Sequence, residues 1–406
     1  MRYRQLGRSG IWVSEIGLGC EKLQGKDYPT VKAIVDGAIE CGVNIFDVFM
    51  SEPTVRTHIG KALGGKRGQV VIQGHIGATW KDGQYALSRD LVECMDAFGD
   101  LLERLGTDYI DIGMLHFVDT EKDFDDVFNG EIIDYANELK KTGVIKTIGI
   151  STHETGIAKR AVETGLIDVL MFSLNPAFDL LPGDMSMDDM MADENTTAEM
   201  RNQIDPDRAA LYNLCERDGT AITVMKAYMA GRLLDAEQSP FGWALTPDQC
   251  IHYALTRPAV ASALIGCETP EQIRRAADYE TATDTEKDFS EVFIKTLAAE
   301  GKCVYCNHCL PCPAHIDIAQ VNKYLDLALA TQEISATVNA HYHAMPTKMA
   351  LFTTSPAKVI ILIIETRFNE EPNKRSPPVI PINVNGMEDI TNKGCVNRSN
   401  WITITE

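Results

Sequence analysis

Short apolar runs alternate with helix-spaced segments throughout the first 280 residues, and this restricts the fold more than any other feature. The runs are Ile16 to Gly19, Val43 to Phe46 (closing on Asp47), Val70 to Gln73, Tyr109 to Leu115, Ile145 to Ile150, Asp168 to Ser173, Ala221 to Lys226 and Ala261 to Gly266. Helical spacing follows each one. Val31, Ile34, Val35, Ala38 and Ile39 share one face before Gly42, and Leu91, Met95, Phe98, Leu102 and Leu105 form a stripe for which Ser88 can supply the cap. Strands separated by helices pair in parallel through right-handed crossovers. Eight such units in under 300 residues predict an α/β fold of the (β/α)8, or TIM-barrel, type. A doubly wound open sheet is the rival. It would carry a glycine-rich turn after the first strand, and Gly17-Leu18-Gly19-Cys20-Glu21-Lys22 lacks the third glycine.

The pattern changes after Thr281, so the chain is expected to comprise a barrel over 1–280, a small helical domain over 281–345, and an irregular tail over 346–406. The last of these is rich in Pro, Asn and charge and shows no sustained periodicity. The chain is 45% hydrophobic and 24% charged, as soluble globular proteins are. Its formal net charge of -20 repels phosphate backbones and anionic lipid, which argues against nucleic acid or membrane as partner. No apolar signal core opens the sequence and no run is long enough to span a bilayer, so the cytoplasm is expected.

Four of the 11 cysteines crowd into "CVYCNHCLPCP", giving Cys303-x2-Cys306-x2-Cys309-x2-Cys312-Pro313. Steps of three residues let one loop offer successive thiolates to an iron–sulfur cluster. Zinc sites usually separate two Cys pairs by a longer loop, and no Cys-x-x-Cys here is followed by His as c-type haem requires. In two-cluster ferredoxins the Cys before Pro ligates the other cluster, yet only Cys395 lies downstream. Cys312 therefore completes one [4Fe-4S] cluster, or Cys395 does, or the cluster lacks a ligand.

In a (β/α)8 barrel the chemistry sits where the strands end. Those ends present Asp47, His75, His116, His153, Asn175 and Lys226, with Glu52 just beyond Asp47. A single histidine at such an end is commonly a satisfied core residue, but several polar ends converging on one mouth point to a site.

"YRQLGRSGIWVSEIGLGC", "GVNIFD", "IGKAL", "LERLGTDYIDIGMLH", "IGISTH" and "AVETGLIDVLMFSLN" resemble the aldo-keto reductases, and specifically the bacterial subgroup with a C-terminal ferredoxin-like 4Fe-4S domain. The resemblance runs from Met1 to about Tyr342. It implies a barrel that binds NADP(H) or NAD(H) and reduces small carbonyls with an Asp, Tyr, Lys and His set. Asp47 and His116 match the Asp and His; Glu52 falls on the Tyr position and His75 on the Lys position. A Glu whose pKa is raised by burial is then the expected acid, with His75 as its partner. On the cofactor side the resemblance implies Ser151, Thr152, Asn175, Lys226, Gly231, Arg232, Gly266 and Arg274. Met171 occupies a usual Gln position, and Gln272 the usual position of the arginine for the 2'-phosphate. The subgroup's second Cys run is absent after "NKYLDLALATQEISATVNAHYHAM", a change that loss of reading frame near Met345 would explain.

Three functions follow. The first is a redox enzyme in which Asp47, Glu52, His75 and His116 handle protons while a 4Fe-4S cluster on Cys303, Cys306, Cys309 and Cys312 exchanges electrons with a redox partner protein. The second is a metal-dependent lyase or isomerase using the same four mouth residues, with a structural cluster. The third is a non-enzymatic electron carrier. The acidic, Met-rich segment 181–200 after strand six is a candidate lid.

Overall fold

A computed structural model describes residues 1–180, 204–292, 321, 381–382 and 403–404. The chain divides into one compact unit of Met1–Met200 with Leu211–Lys287 and a second of Arg201–Ala210 with Asp288–Glu406. In the second unit Pro381–Ile382 pairs in parallel with Thr403–Ile404. The cysteine cluster, the candidate lid and the expected irregular tail fall on positions outside the described residues, those two short strands excepted.

Eight parallel strands close the first unit into a barrel: β3 (Ile16–Gly19), β4 (Ile45–Val48), β5 (Val71–Ile76), β8 (Ile110–Leu115), β9 (Ile145–Thr152), β10 (Val169–Ser173), β11 (Ala221–Met225) and β12 (Val260–Gly266). Each matches one of the eight apolar runs, and β10 closes the ring against β9. Helices follow the strands: α1 (Tyr28–Glu40), α2 (Pro53–Ala62), α3 (Leu91–Leu105), α5 (Glu131–Thr142) and α6 (Thr155–Glu163), then Pro206–Asp218, Pro247–Leu255 and Pro270–Ala277. The expected barrel is therefore present, and the open sheet is not.

An antiparallel hairpin of β1 (Tyr3–Gln5) and β2 (Trp12–Ser14) precedes the barrel. Its Leu6 and Val13 are fully buried among Ile45, Val71, Ile112, Val169 and Ala221, residues near the strand starts. Burying such side chains contributes about 1.5–3 kcal/mol each. The hairpin thus plugs the N-terminal end and leaves the C-terminal end for chemistry.

Local chemistry corrects three details of the sequence reading. Asp90, not Ser88, caps α3 by accepting a hydrogen bond from Glu93 N. The α3 stripe also lies slightly rotated, with Cys94 and Leu101 buried and Met95 47% exposed. A further helix, α4 (Glu121–Phe128), and a second hairpin, β6 (Ala78–Lys81) with β7 (Gln84–Leu87), sit in the loops that follow β8 and β5.

Candidate active site

Asp47 lies near the end of β4, beside Gln73 of β5 in the strand register. Residues two apart on a strand share a face, so Gln73 and His75 both point where Asp47 points. Gln73 Nε2 and His75 Nε2 each lie 2.9 Å from Asp47 Oδ1. His75 Nδ1 lies 2.8 Å from Nδ1 of His116, which follows β8 directly. His116 N continues the ladder by donating to Ile76 O. All four side chains are buried.

A carboxylate only accepts hydrogen bonds, so Asp47 takes the Nε2–H of His75. In the tautomer that carries this proton alone, His75 accepts at Nδ1. His116 then donates from Nδ1 and presents Nε2 as an acceptor. Burial, reinforced by Arg89 and the neighbouring imidazoles of His75 and His153, holds the His116 pKa well below the ordinary histidine value, so it is neutral at pH 7.

The surrounding loops hold this arrangement. Arg56 of α2 is buried and donates to Met50 O, Ala97 O and Asp100. It thereby fixes the loop carrying Phe49, whose ring stacks on His116 at 5.7 Å and meets His75 edge-on. Arg89 donates to the carbonyls of both His116 and Phe117. Phe117 has a φ of 51°, a left-handed conformation costing about 1–2 kcal/mol for a residue with a side chain. The Arg89 contacts and the bond from Phe117 N to Ser151 Oγ, 2.9 Å long, retain it. Nearby, Asp119 accepts from Thr152 Oγ1 and His153 N, and lies 2.7 Å from His153 Nδ1.

Glu52 departs from the sequence expectation. Its carboxylate caps α2, accepting from Thr54 N at 2.9 Å and Val55 N at 2.6 Å. Burial pushes its pKa up, but the hydrogen bonds from Val55 and Thr54 and the charge of His58 outweigh it, and the net shift is downward. A carboxylate with a lowered pKa is a poor acid at neutral pH, which corrects the reading of Glu52 as a proton donor raised by burial. The expected Glu52–His75 pair is replaced by Asp47–His75–His116.

The metal reading of Asp47, Glu52, His75 and His116 loses its geometry for the same reason. Three of the four ring nitrogens are held by Asp47 and by the His–His contact, and the fourth, His116 Nε2, lies 2.7 Å from the Tyr85 hydroxyl. Among the described residues, no group of three or more His, Cys, Asp or Glu is placed to hold a metal.

Tyr85 is the residue that the sequence reading missed. It lies on β7, in a hairpin whose turn is Asp82-Gly83 with positive φ at both residues. Asp-Gly between two strand-like runs is a strong hairpin signal, and it was the available clue. Ser51 Oγ donates to Thr79 O at 2.5 Å and joins this hairpin to the β4–α2 loop.

The cofactor positions implied by the resemblance are engaged within the protein. Ser151 Oγ receives Phe117 N–H, while Thr152 Oγ1 donates to Asp119 and accepts from Glu154 N. Asn175 donates to Lys226 O and accepts from Phe178 N. The thioether of Met171 lies against Gln73 Nε2. Gln272 accepts from Glu268 N, and Arg274 faces Glu40 and Glu271. Lys226 and Gly231 adopt positive φ in the turn that leads to Arg232, and Gly266 ends β12. Met171 and Gln272 stand where the resemblance implies Gln and Arg, while Ser151 Oγ and Asn175 Nδ2 each keep a hydrogen to donate.

Comparison with known proteins gives the context for this site. The Aldo/keto reductase family pattern matches residues 15–195. An uncharacterized oxidoreductase of Bacillus subtilis, YqkF, is 29% identical over 304 residues, covering 70% of this chain and 94% of that protein. Pyridoxal 4-dehydrogenase of Microbacterium luteolum is 22% identical over 362 residues, covering 73% of this chain and 97% of its own length. The fold is similar to that of the aldo-keto reductase AKR11C1 from Bacillus halodurans, with a TM-score of 0.56, 24% identity and coverage of 72% of this chain and 95% of that one. The chain is an aldo-keto-reductase-like oxidoreductase.

Proposed function

We propose that this barrel interconverts a small carbonyl compound and its alcohol. The observation that carries the reading is the buried chain Asp47 Oδ1–His75–His116, whose hydrogen bonds are 2.9 and 2.8 Å long. Reduction of a carbonyl takes up two electrons and two protons, and oxidation of the alcohol releases them. The two histidines and the carboxylate hold and move the proton. His116, neutral at pH 7, can receive one at Nε2.

The electron side is assigned to a 4Fe-4S cluster on Cys303, Cys306, Cys309 and Cys312, supported by their three-residue spacing. Such a cluster, when bound, supplies electron transfer to and from a redox partner protein in the cytoplasm. Met171 and Gln272, at positions where the resemblance implies Gln and Arg, favour this assignment over a nicotinamide held in the usual way. The alcohol-to-carbonyl direction has a parallel in the dehydrogenase from Microbacterium luteolum.

The test is anaerobic purification, iron and sulfide analysis, and assay with small aldehydes and ketones. Electrons come from reduced viologen in one arm and from NADH or NADPH in another. About four iron and four sulfide per chain with viologen-linked turnover is the expected result. Absence of iron together with rapid nicotinamide-linked turnover would overturn the electron assignment and leave the carbonyl chemistry standing.

A further inference from the structure

The buried chain has a fourth member. Tyr85 Oη lies 2.7 Å from His116 Nε2, the acceptor left over once Asp47 has ordered both histidines. Tyr85 is 37% exposed, so its hydroxyl meets a buried imidazole while part of the residue is open to solvent. Tyr85 also meets His116 edge-on at 5.8 Å and Phe49 at 6.4 Å. A hydroxyl both donates and accepts. Tyr85 can donate to His116 and still receive a hydrogen bond from a ligand.

We propose that Tyr85 is the group that exchanges a proton with the substrate oxygen, and that His116, His75 and Asp47 form the relay behind it. The proposal deepens the carbonyl–alcohol reading and rests on it. In the alcohol-binding direction the substrate O–H bond breaks and its proton goes to Tyr85 Oη. The Tyr85 proton moves to His116 Nε2, the His116 Nδ1 proton to His75 Nδ1, and the His75 Nε2 proton to Asp47 Oδ1. Each proton moves one place and no electron is transferred. The negative charge passes from Asp47 to the substrate oxygen, which becomes an alkoxide ready for oxidation. The reverse sequence protonates the alkoxide formed by reduction.

Several features suit Tyr85 to this task. The hairpin holds it rigidly: Tyr85 pairs with Trp80 across the two strands, and Thr79 Oγ1 donates to Ala86 O. Lys81 reaches Glu93 of α3 at 2.5 Å and anchors the hairpin's other strand. Burial raises the Tyr85 pKa and Arg89 opposes it, so the phenol is protonated at neutral pH and can serve as donor. A proton donor thus reaches the mouth from the loop after β5, while the loop after β4 supplies the Phe49 ring and a Glu52 carboxylate engaged as a helix cap.

Tyr85→Phe keeps the ring and removes the hydroxyl. In the full chain, turnover of small aldehydes is expected to fall about 100-fold or more, with KM changed only a few-fold. Replacing tyrosine with a fluorinated tyrosine should shift the basic limb of the pH–rate profile to lower pH, following the phenol. A merely structural phenol would move neither kcat nor that limb. Turnover of Tyr85→Phe within about threefold of the unsubstituted protein would overturn the proposal. If the unsubstituted protein turns over no carbonyl or alcohol, the carbonyl reading fails by itself. Nitrogen-15 NMR of His116 then decides the relay. An unprotonated Nε2 that shifts on Tyr85→Phe supports it, and a protonated Nε2 overturns it.

Discussion

His75 and His116 face each other through their Nδ1 atoms at 2.8 Å, a contact that requires one ring to donate and the other to accept. With one proton on His75, Asp47 decides which, because its Oδ1 claims the Nε2–H. The polarity of the whole site therefore descends from one carboxylate at the end of β4. Its consequences can be measured separately.

The first concerns pH and stability. Burial lowers the pKa of His116 in the folded protein, so the unfolded chain binds a proton more readily. Stability from this group is full above the unfolded value, about 6.5, and falls as the pH drops below it, by up to about 1.4 kcal/mol per pH unit. Urea denaturation between pH 7 and pH 5 should show this loss, and His116→Gln should flatten it. An equal slope in both proteins would show that His116 is not held neutral.

The second concerns Glu52. As the cap of α2 it should matter for stability rather than turnover. Glu52→Ala is expected to cost about 1 kcal/mol in chemical denaturation. Its folded pKa is lowered, so this contribution is present above the unfolded value, about 4.3, and is lost as the pH falls below it. Turnover should stay within about threefold of the unsubstituted protein. A hundredfold loss would restore Glu52 to the chemistry.

The third concerns Ser151. Its hydroxyl is the partner of Phe117 N in a left-handed turn directly after His116. Ser151→Ala leaves that N–H without its partner, at a cost of about 1–3 kcal/mol. Denaturation in the absence of any nucleotide should register the loss. A residue serving only to bind a cofactor would leave the unliganded stability unchanged.

The barrel was legible because each strand is a compact apolar run and each helix keeps its spacing, as in Val31, Ile34, Val35 and Ala38, all buried on α1. Asp47, His75 and His116 were legible for a related reason: a polar residue at the end of such a run has little to do in a core. Glu52 was misread because sequence position does not show what a carboxylate bonds to. Only the geometry shows two backbone N–H groups of α2 in front of it. Tyr85 was missed because β6 and β7 are short and lie within a loop of the repeating pattern, where attention to strand ends does not reach. Ser151 and Thr152 sit at the end of β9 as expected, but their partners, Phe117 and Asp119, come from a different loop.

The most direct measurement is the anaerobic turnover of Asp47→Asn beside that of the unsubstituted protein, with small aldehydes and reduced viologen. Asn is similar in shape but donates as well as accepts, so it no longer fixes a single order of the two histidines, and it carries no charge with which to receive the relayed proton. The account predicts a fall of about 100-fold to 10,000-fold in kcat with the fold retained. Equal turnover in the two proteins would contradict it, since the proton path would then not run through Asp47.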